Sequence, residues 1–132
     1  MNYRQLLLAL VIALSLLVNN RFPALLIGSG ASGVATAAYG SRELKSIEKI
    51  SLHRAWEASQ KAMKDLGFTI TKEEKDPSDS WVQLTALGAG DRIIKVRLIK
   101  QSDNLTEIWI HIGPLGSKSL SVWILAKIRE YF

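Results

Sequence analysis

The chain has 132 residues, 17 Lys and Arg against 12 Asp and Glu, a formal net charge of +5 and no cysteine. Without cysteine there is no disulfide framework, no thiolate nucleophile, no cysteine-based zinc site and no acceptor for bacterial-type lipid attachment. The acidic and basic residues are interleaved, whereas a nucleic-acid footprint gathers its cations on one face, so no nucleic-acid partner is expected.

The charges are unevenly distributed along the chain. Residues 1–40 carry only Arg4 and Arg21, while residues 41–132 hold the other 15 basic residues and all 12 acidic ones. This divides the chain into an apolar N-terminal segment, 1–40, and a small globular domain, 41–132, large enough for one core.

Tyr3-Arg4 and the apolar run Leu6 to Val18 have the form of a signal sequence. As a helix the run rises about 20 Å against a hydrocarbon core of about 30 Å. Small residues are missing around Val18 to Arg21, and Ala35-Thr36-Ala37 lies far downstream, so an uncleaved anchor is expected. Either one long segment enters the membrane, or Asn19-Asn20-Arg21-Phe22-Pro23 turns the chain into a helical hairpin. In the second apolar run, Ala24 to Tyr39, Ser29, Gly33 and Ala37 recur every four residues, as do Ser32, Thr36 and Gly40. Small residues at that spacing let helices approach closely in lipid and make a face for a partner or a second copy. A Gly/Ala linker is the competing reading.

In the domain, Arg42 to Ile50 reads as a strand in which Leu44 and Ile47 break strict alternation. Ser51 is an N-cap, and Leu52, Ala55, Trp56, Ser59, Ala62, Met63 and Leu66 form the apolar stripe of a helix closed by Gly67. Phe68 and Ile70 alternate with threonines as a strand, and Lys72 to Ser80 reads as a charged hairpin loop. Val82, Leu84 and Ala86, then Ile94, Val96 and Leu98, then Ile108, Ile110 and Ile112 alternate with more polar residues as three further strands. Turns are expected at Gly88 to Asp91 and at Ser102 to Asn104, and Gly113-Pro114-Leu115-Gly116 ends the meander. A final helix from Ser117 is expected to bury Leu120, Ile124 and Ile128, with Trp123 or Tyr131. The order β-α-β-β-β-β-α predicts an α+β two-layer sandwich, an antiparallel sheet with two helices on one face. The other face would show Trp81, Lys95, Arg97, Ile99, Glu107, Trp109 and His111. Of these, Trp81, Trp109 and Ile99 are the candidate partner contacts, against the simpler reading of scattered surface apolar residues.

Several of these residues form a pattern. Trp56-x-Ala58 precedes Leu66-Gly67-Phe68, and Thr106-Glu107-Ile108-x-Ile110-x-Ile112-Gly113-x-x-Gly116 precedes Ser121-x-x-Ile124-x-x-x-Ile128. With the Gly/Ala-rich stretch and Glu43-Leu44-Lys45, the chain resembles, over about residues 24–130, the small bacterial envelope proteins of domain-of-unknown-function family 3568. The resemblance implies export and a membrane-tethered domain, and it carries no activity and no catalytic residues. Such proteins are read as lipoproteins, yet here Leu26-Ile27-Gly28 is followed by Ser29, and an alternative alignment puts Phe22 at the cysteine position. The acidic residue usual after the Gly-x-x-Gly turn is replaced by Ser117.

No catalytic, cofactor-binding or metal-binding residue is nominated. His53 and His111 lack a second ligand at metal-binding spacing. Glu73 and Glu74 sit in a charged segment, not across a cleft, as paired acid/base carboxylates require. Gly28-x-Gly30-x-x-Gly33 lacks the strand, helix and acidic residue of a dinucleotide fingerprint. Asn104-Leu105-Thr106 reads as turn chemistry.

The expected protein is a membrane-anchored, non-enzymatic interaction or accessory subunit, its domain periplasmic at the inner membrane. A small-ligand or lipid-binding domain is the alternative. A cytoplasmic domain is the minor topology, with Arg4, Arg42, Lys45 and Lys49 on the inner side.

Overall fold

A computed structural model describes residues 36–132. The anchor or hairpin expected from Leu6 onward, with Ser29 and Gly33, lies outside the described residues. Among the described residues no helix is long and apolar enough to cross a membrane.

Six strands and two helices form an α+β fold. In chain order they are β1 (Thr36–Gly40), β2 (Glu43–Glu48), α1 (Leu52–Asp65), β3 (Thr69–Lys75), β4 (Trp81–Leu87), β5 (Ile93–Ser102), β6 (Leu105–Ile112) and α2 (Lys118–Arg129), with a 3-10 turn at Ala89–Asp91. The strands make one antiparallel sheet in the order β1-β2-β6-β5-β4-β3. The β3-β4-β5-β6 meander follows from its short connections. β2 joins it beside β6, placing Leu44 opposite Ile110 and Ser46 opposite Ile108.

Alternation sets the two faces of the sheet. Leu44, Val82, Leu84, Ala86, Ile94, Val96, Leu98, Ile108, Ile110 and Ile112 are buried in one core with Ala55, Ala58, Ala62 and Met63 of α1 and Ile124, Leu125 and Ile128 of α2. The alternate strand residues keep part of their surface, so both helices cover the same side. Ser51 accepts from the Arg54 N–H at 3.3 Å, capping α1 as its sequence indicates. The far end closes with Gly67 at φ +74°, the Gly67 N–H donating to Lys64 and the Phe68 N–H to Met63. That is a Schellman closure, which an L side chain at Gly67 would strain. Ser117 caps α2 by accepting from the Leu120 N–H, so the helix start stays capped without the acidic residue.

Five expectations are corrected. The end of the second apolar run is strand β1, not membrane helix: Ala37 is 1% exposed in the core of the domain, opposite Ser46. β1 was hidden because its turn, Ser41-Arg42, has both residues at positive φ (51° and 66°) without the Asn-Gly that normally announces such a hairpin. The extra strand makes the order β-β-α-β-β-β-β-α, ahead of the boundary placed at Ser41. In β2 the core face carries Leu44, Ser46 and Glu48, while Ile47 is exposed, so apolarity and inwardness part company there. Lys72 to Lys75 are strand, not loop, because an edge strand with one wet side tolerates charges. In α2, Leu125 is buried, whereas Trp123 is 53% exposed and Tyr131 also lies outside the core.

Candidate functional site

The outer face of the sheet has no cover among the described residues. Its central row runs Lys45, Trp109, Arg97, Gln83 across β2, β6, β5 and β4. The next row runs Ile47, Glu107, Ile99, Trp81, so Trp81 and Ile99 are direct cross-strand partners. The three residues nominated from sequence, Trp81, Ile99 and Trp109, therefore share one patch, and each is only partly buried.

Cations interleave with the two indoles. Lys45 Nζ lies 4.2 Å from the Trp109 ring centroid, and the Arg97 guanidinium lies 4.7 Å from that of Trp81. Each contact is worth about 0.5–1 kcal/mol at an exposed site. The result is two cation–ring pairs, Lys45 on Trp109 and Arg97 on Trp81, on neighbouring strands of one face. The Trp109 indole N–H donates to the Glu107 carboxylate, whose other oxygen accepts from Gln101 Nε2 at 3.0 Å.

The polar groups of this face are unevenly matched. Glu107 is fully engaged, and Glu74 pairs with Lys72 at 3.2 Å. Among the described residues, Lys45, Lys95 and Arg97 form no ion pair with a carboxylate. Arg97 Nε and His111 Nδ1 are buried with no hydrogen-bond partner, His111 Nδ1 lying 3.9 Å from Glu43. A buried polar atom without a partner costs about 1–3 kcal/mol. Exposed Ile47 and Ile93 flank the patch. Sequence reasoning missed Lys45 and Ile47 as members, because β2 does not alternate cleanly and only its register against β6 places them here.

A second feature is an open cleft of about 720 Å³ between the start of α1 and the β3–β4 hairpin. Four of its charges form two ion pairs, Lys75 to Asp79 at 2.9 Å and Lys100 to Asp103 at 3.4 Å, and Glu73 accepts from Gln60 at 3.0 Å. His53, at its rim, pairs with Glu57 at 3.0 Å. Among the described residues no group of three His, Cys, Asp or Glu is placed to hold a metal ion.

Among known protein families, the one described as a protein of unknown function, DUF3568, matches residues 5–131. The chain belongs to the DUF3568 family. No curated protein sequence matches it. The DUF3568 match spans the apolar run Leu6 to Val18 as well as the whole α+β domain, so both parts lie within the family pattern.

Proposed function

We propose that this DUF3568 protein is a membrane-anchored envelope protein, a non-enzymatic accessory subunit whose outer sheet face docks a protein partner. The observation that carries the reading is the uncovered patch of Trp81, Ile99 and Trp109, interleaved with the unmatched cations Lys45, Lys95 and Arg97. Trp and Arg are the residues that dominate binding energy at protein interfaces, and rigid rings lose little entropy on binding. The exposed cations Lys45 and Lys95, which pair with no carboxylate among the described residues, favour a partner that presents carboxylates against this face. The anchor rests on Leu6 to Val18, which is free of charge and lies within the matched region. Retention of the hydrophobic segment takes the place of lipid attachment, since no cysteine is present. The domain is periplasmic in this reading. The small-ligand alternative has less support, because the cleft beside α1 offers charges already paired with one another.

Two experiments test this. A reporter enzyme fused after Phe132 gives periplasmic activity; cytoplasmic activity refutes the assigned side. A photo-reactive residue at Ile99 cross-links one membrane protein in intact cells, and the same residue at exposed Lys118 does not. Equal capture at both positions refutes the docking face.

A further inference from the structure

The two edges of the sheet are built differently. β3, Thr69–Lys75, reads Thr-Ile-Thr-Lys-Glu-Glu-Lys, with a register shift between Ile70 and Lys72. Charges and a bulge are what blunt an edge against further pairing. β1, Thr36–Gly40, reads Thr-Ala-Ala-Tyr-Gly, with no charge, no proline and unbroken register against β2. No described strand pairs with its outer side.

The sequence of β1 is also complementary to its own reverse. Antiparallel pairing about Ala38 sets Ala37 opposite Tyr39 of the second copy, Tyr39 opposite Ala37, and Ala38 opposite itself. The one large side chain thus meets a small one on each side of the axis. Ala37 and Tyr39 share the core face, opposite Ser46 and Leu44. The Tyr39 hydroxyl is laid against Gly116, where an added Cβ would come within 2.5 Å, so the ring is directed inward and away from the edge. The nearest charges, Lys45 and its copy, would be three strand spacings apart, about 14 Å. That exceeds the screening length of about 8 Å at physiological salt, so they do not oppose the contact.

We propose that β1 pairs with β1 of a second copy of this chain, antiparallel about Ala38, continuing the sheet across a two-fold axis. The surface is separate from the face of Trp81 and Trp109, so the two readings stand or fall independently. It also gives the small residues at 37, 38 and 40 a use other than helix packing.

The absence of cysteine makes the test direct. In the axis pairing the two Ala38 Cα atoms lie about 4.5–5.5 Å apart, within the about 4.4–6.8 Å that a disulfide spans. In the full chain, solubilised in mild detergent and oxidised, most Ala38→Cys protein runs at twice the monomer mass without reductant. Lys72→Cys, on the opposite edge, stays monomeric. Mixed Thr36→Cys and Gly40→Cys chains with different tags cross-link to each other more than to themselves. Equal dimer from Ala38→Cys and Lys72→Cys overturns the proposal, as does self-linking of Thr36→Cys that matches the mixed pair. A second measurement covers a variant that misfolds. Light scattering, corrected for bound detergent, gives a dimer for the unmodified chain and a monomer for Ala38→Lys. A monomeric unmodified chain overturns the proposal.

Discussion

Arg129 Nε donates to the Glu48 carboxylate at 2.7 Å across 81 positions of sequence, tying the last turn of α2 to the buried face of β2. Glu48 is 3% exposed and also accepts from Ser46 Oγ at 2.6 Å, while Arg129 reaches Ser46 at 3.3 Å. This polar triad is the reason β2 fails to alternate as an apolar strand. It fixes the C-terminal helix to the edge half of the sheet, where β1 is attached.

Removing one partner leaves a buried charge. Arg129→Met is expected to destabilise the domain by about 3–5 kcal/mol, and Glu48→Gln by less, since the amide can still bond to Ser46. Combining Glu48→Met with Arg129→Met should recover much of the loss, because no charge then remains in the core. Denaturant unfolding of the unmodified chain, the single variants and the double variant reads this coupling.

Ser41 and Arg42 both occupy the left-handed region in the β1–β2 turn. Ser41→Asn with Arg42→Gly suits that geometry and is expected to stabilise the domain by about 1 kcal/mol. Arg42 reaches the Pro114 carbonyl only at 3.4 Å, so little is lost with its side chain. A rise in the denaturant midpoint with unchanged slope checks it.

At Gly116 the sign reverses. Its φ is +72°, and a Cβ would meet the Tyr39 hydroxyl at 2.5 Å and the Arg42 carbonyl oxygen at 2.7 Å. Gly116→Ala should cost about 1–3 kcal/mol and loosen β1 first. Faster amide exchange across 36–40 than across β5 reports it.

Most of the fold was legible because most of it obeys one period at a time. Ile94-Val96-Leu98 and Ile108-Ile110-Ile112 each mark a buried face at every second position, and α1 shows one stripe between Ser51 and Gly67. The failures sit where a second influence outweighs the pattern. β1 looked like membrane helix because Ala, Gly and Thr at four-residue spacing suit both. β2 hides a buried ion pair behind polar letters. Trp123 lies off the buried stripe of α2, which runs Ser121, Ile124, Leu125, Ile128, and Phe68 meets the Trp123 ring edge-on at 6.5 Å. Of the candidate patch, the two tryptophans and Ile99 were visible as the odd members of polar rows. Arg97 was visible on the same face, whereas Lys45, the cation on Trp109, needed the register of β2 against β6.

The β3–β4 turn carries a pH signature. Hydrogen bonds from Ser78 and then Ser80 hold the Asp76 carboxyl below the ordinary aspartate range. A depressed carboxyl contributes stability that is present above its unfolded value and is lost as pH falls through the folded one. Acid should therefore loosen this turn below about pH 4, near the unperturbed aspartate value. Ser78→Ala with Ser80→Ala should flatten that part of the stability profile, seen in thermal midpoints taken across acidic pH.

The proposed role of Trp81 and Trp109 is to face a protein partner, with neither ring needed for the fold. It is tested most directly by affinity purification of the full chain from solubilised membranes, unmodified and as Trp81→Ala with Trp109→Ala, with quantitative mass spectrometry. Thermal unfolding of both proteins accompanies it. The expected result is a membrane protein recovered with the unmodified chain and lost from the double variant while the variant stays folded. Recovery of the same proteins at the same level with both chains would contradict it.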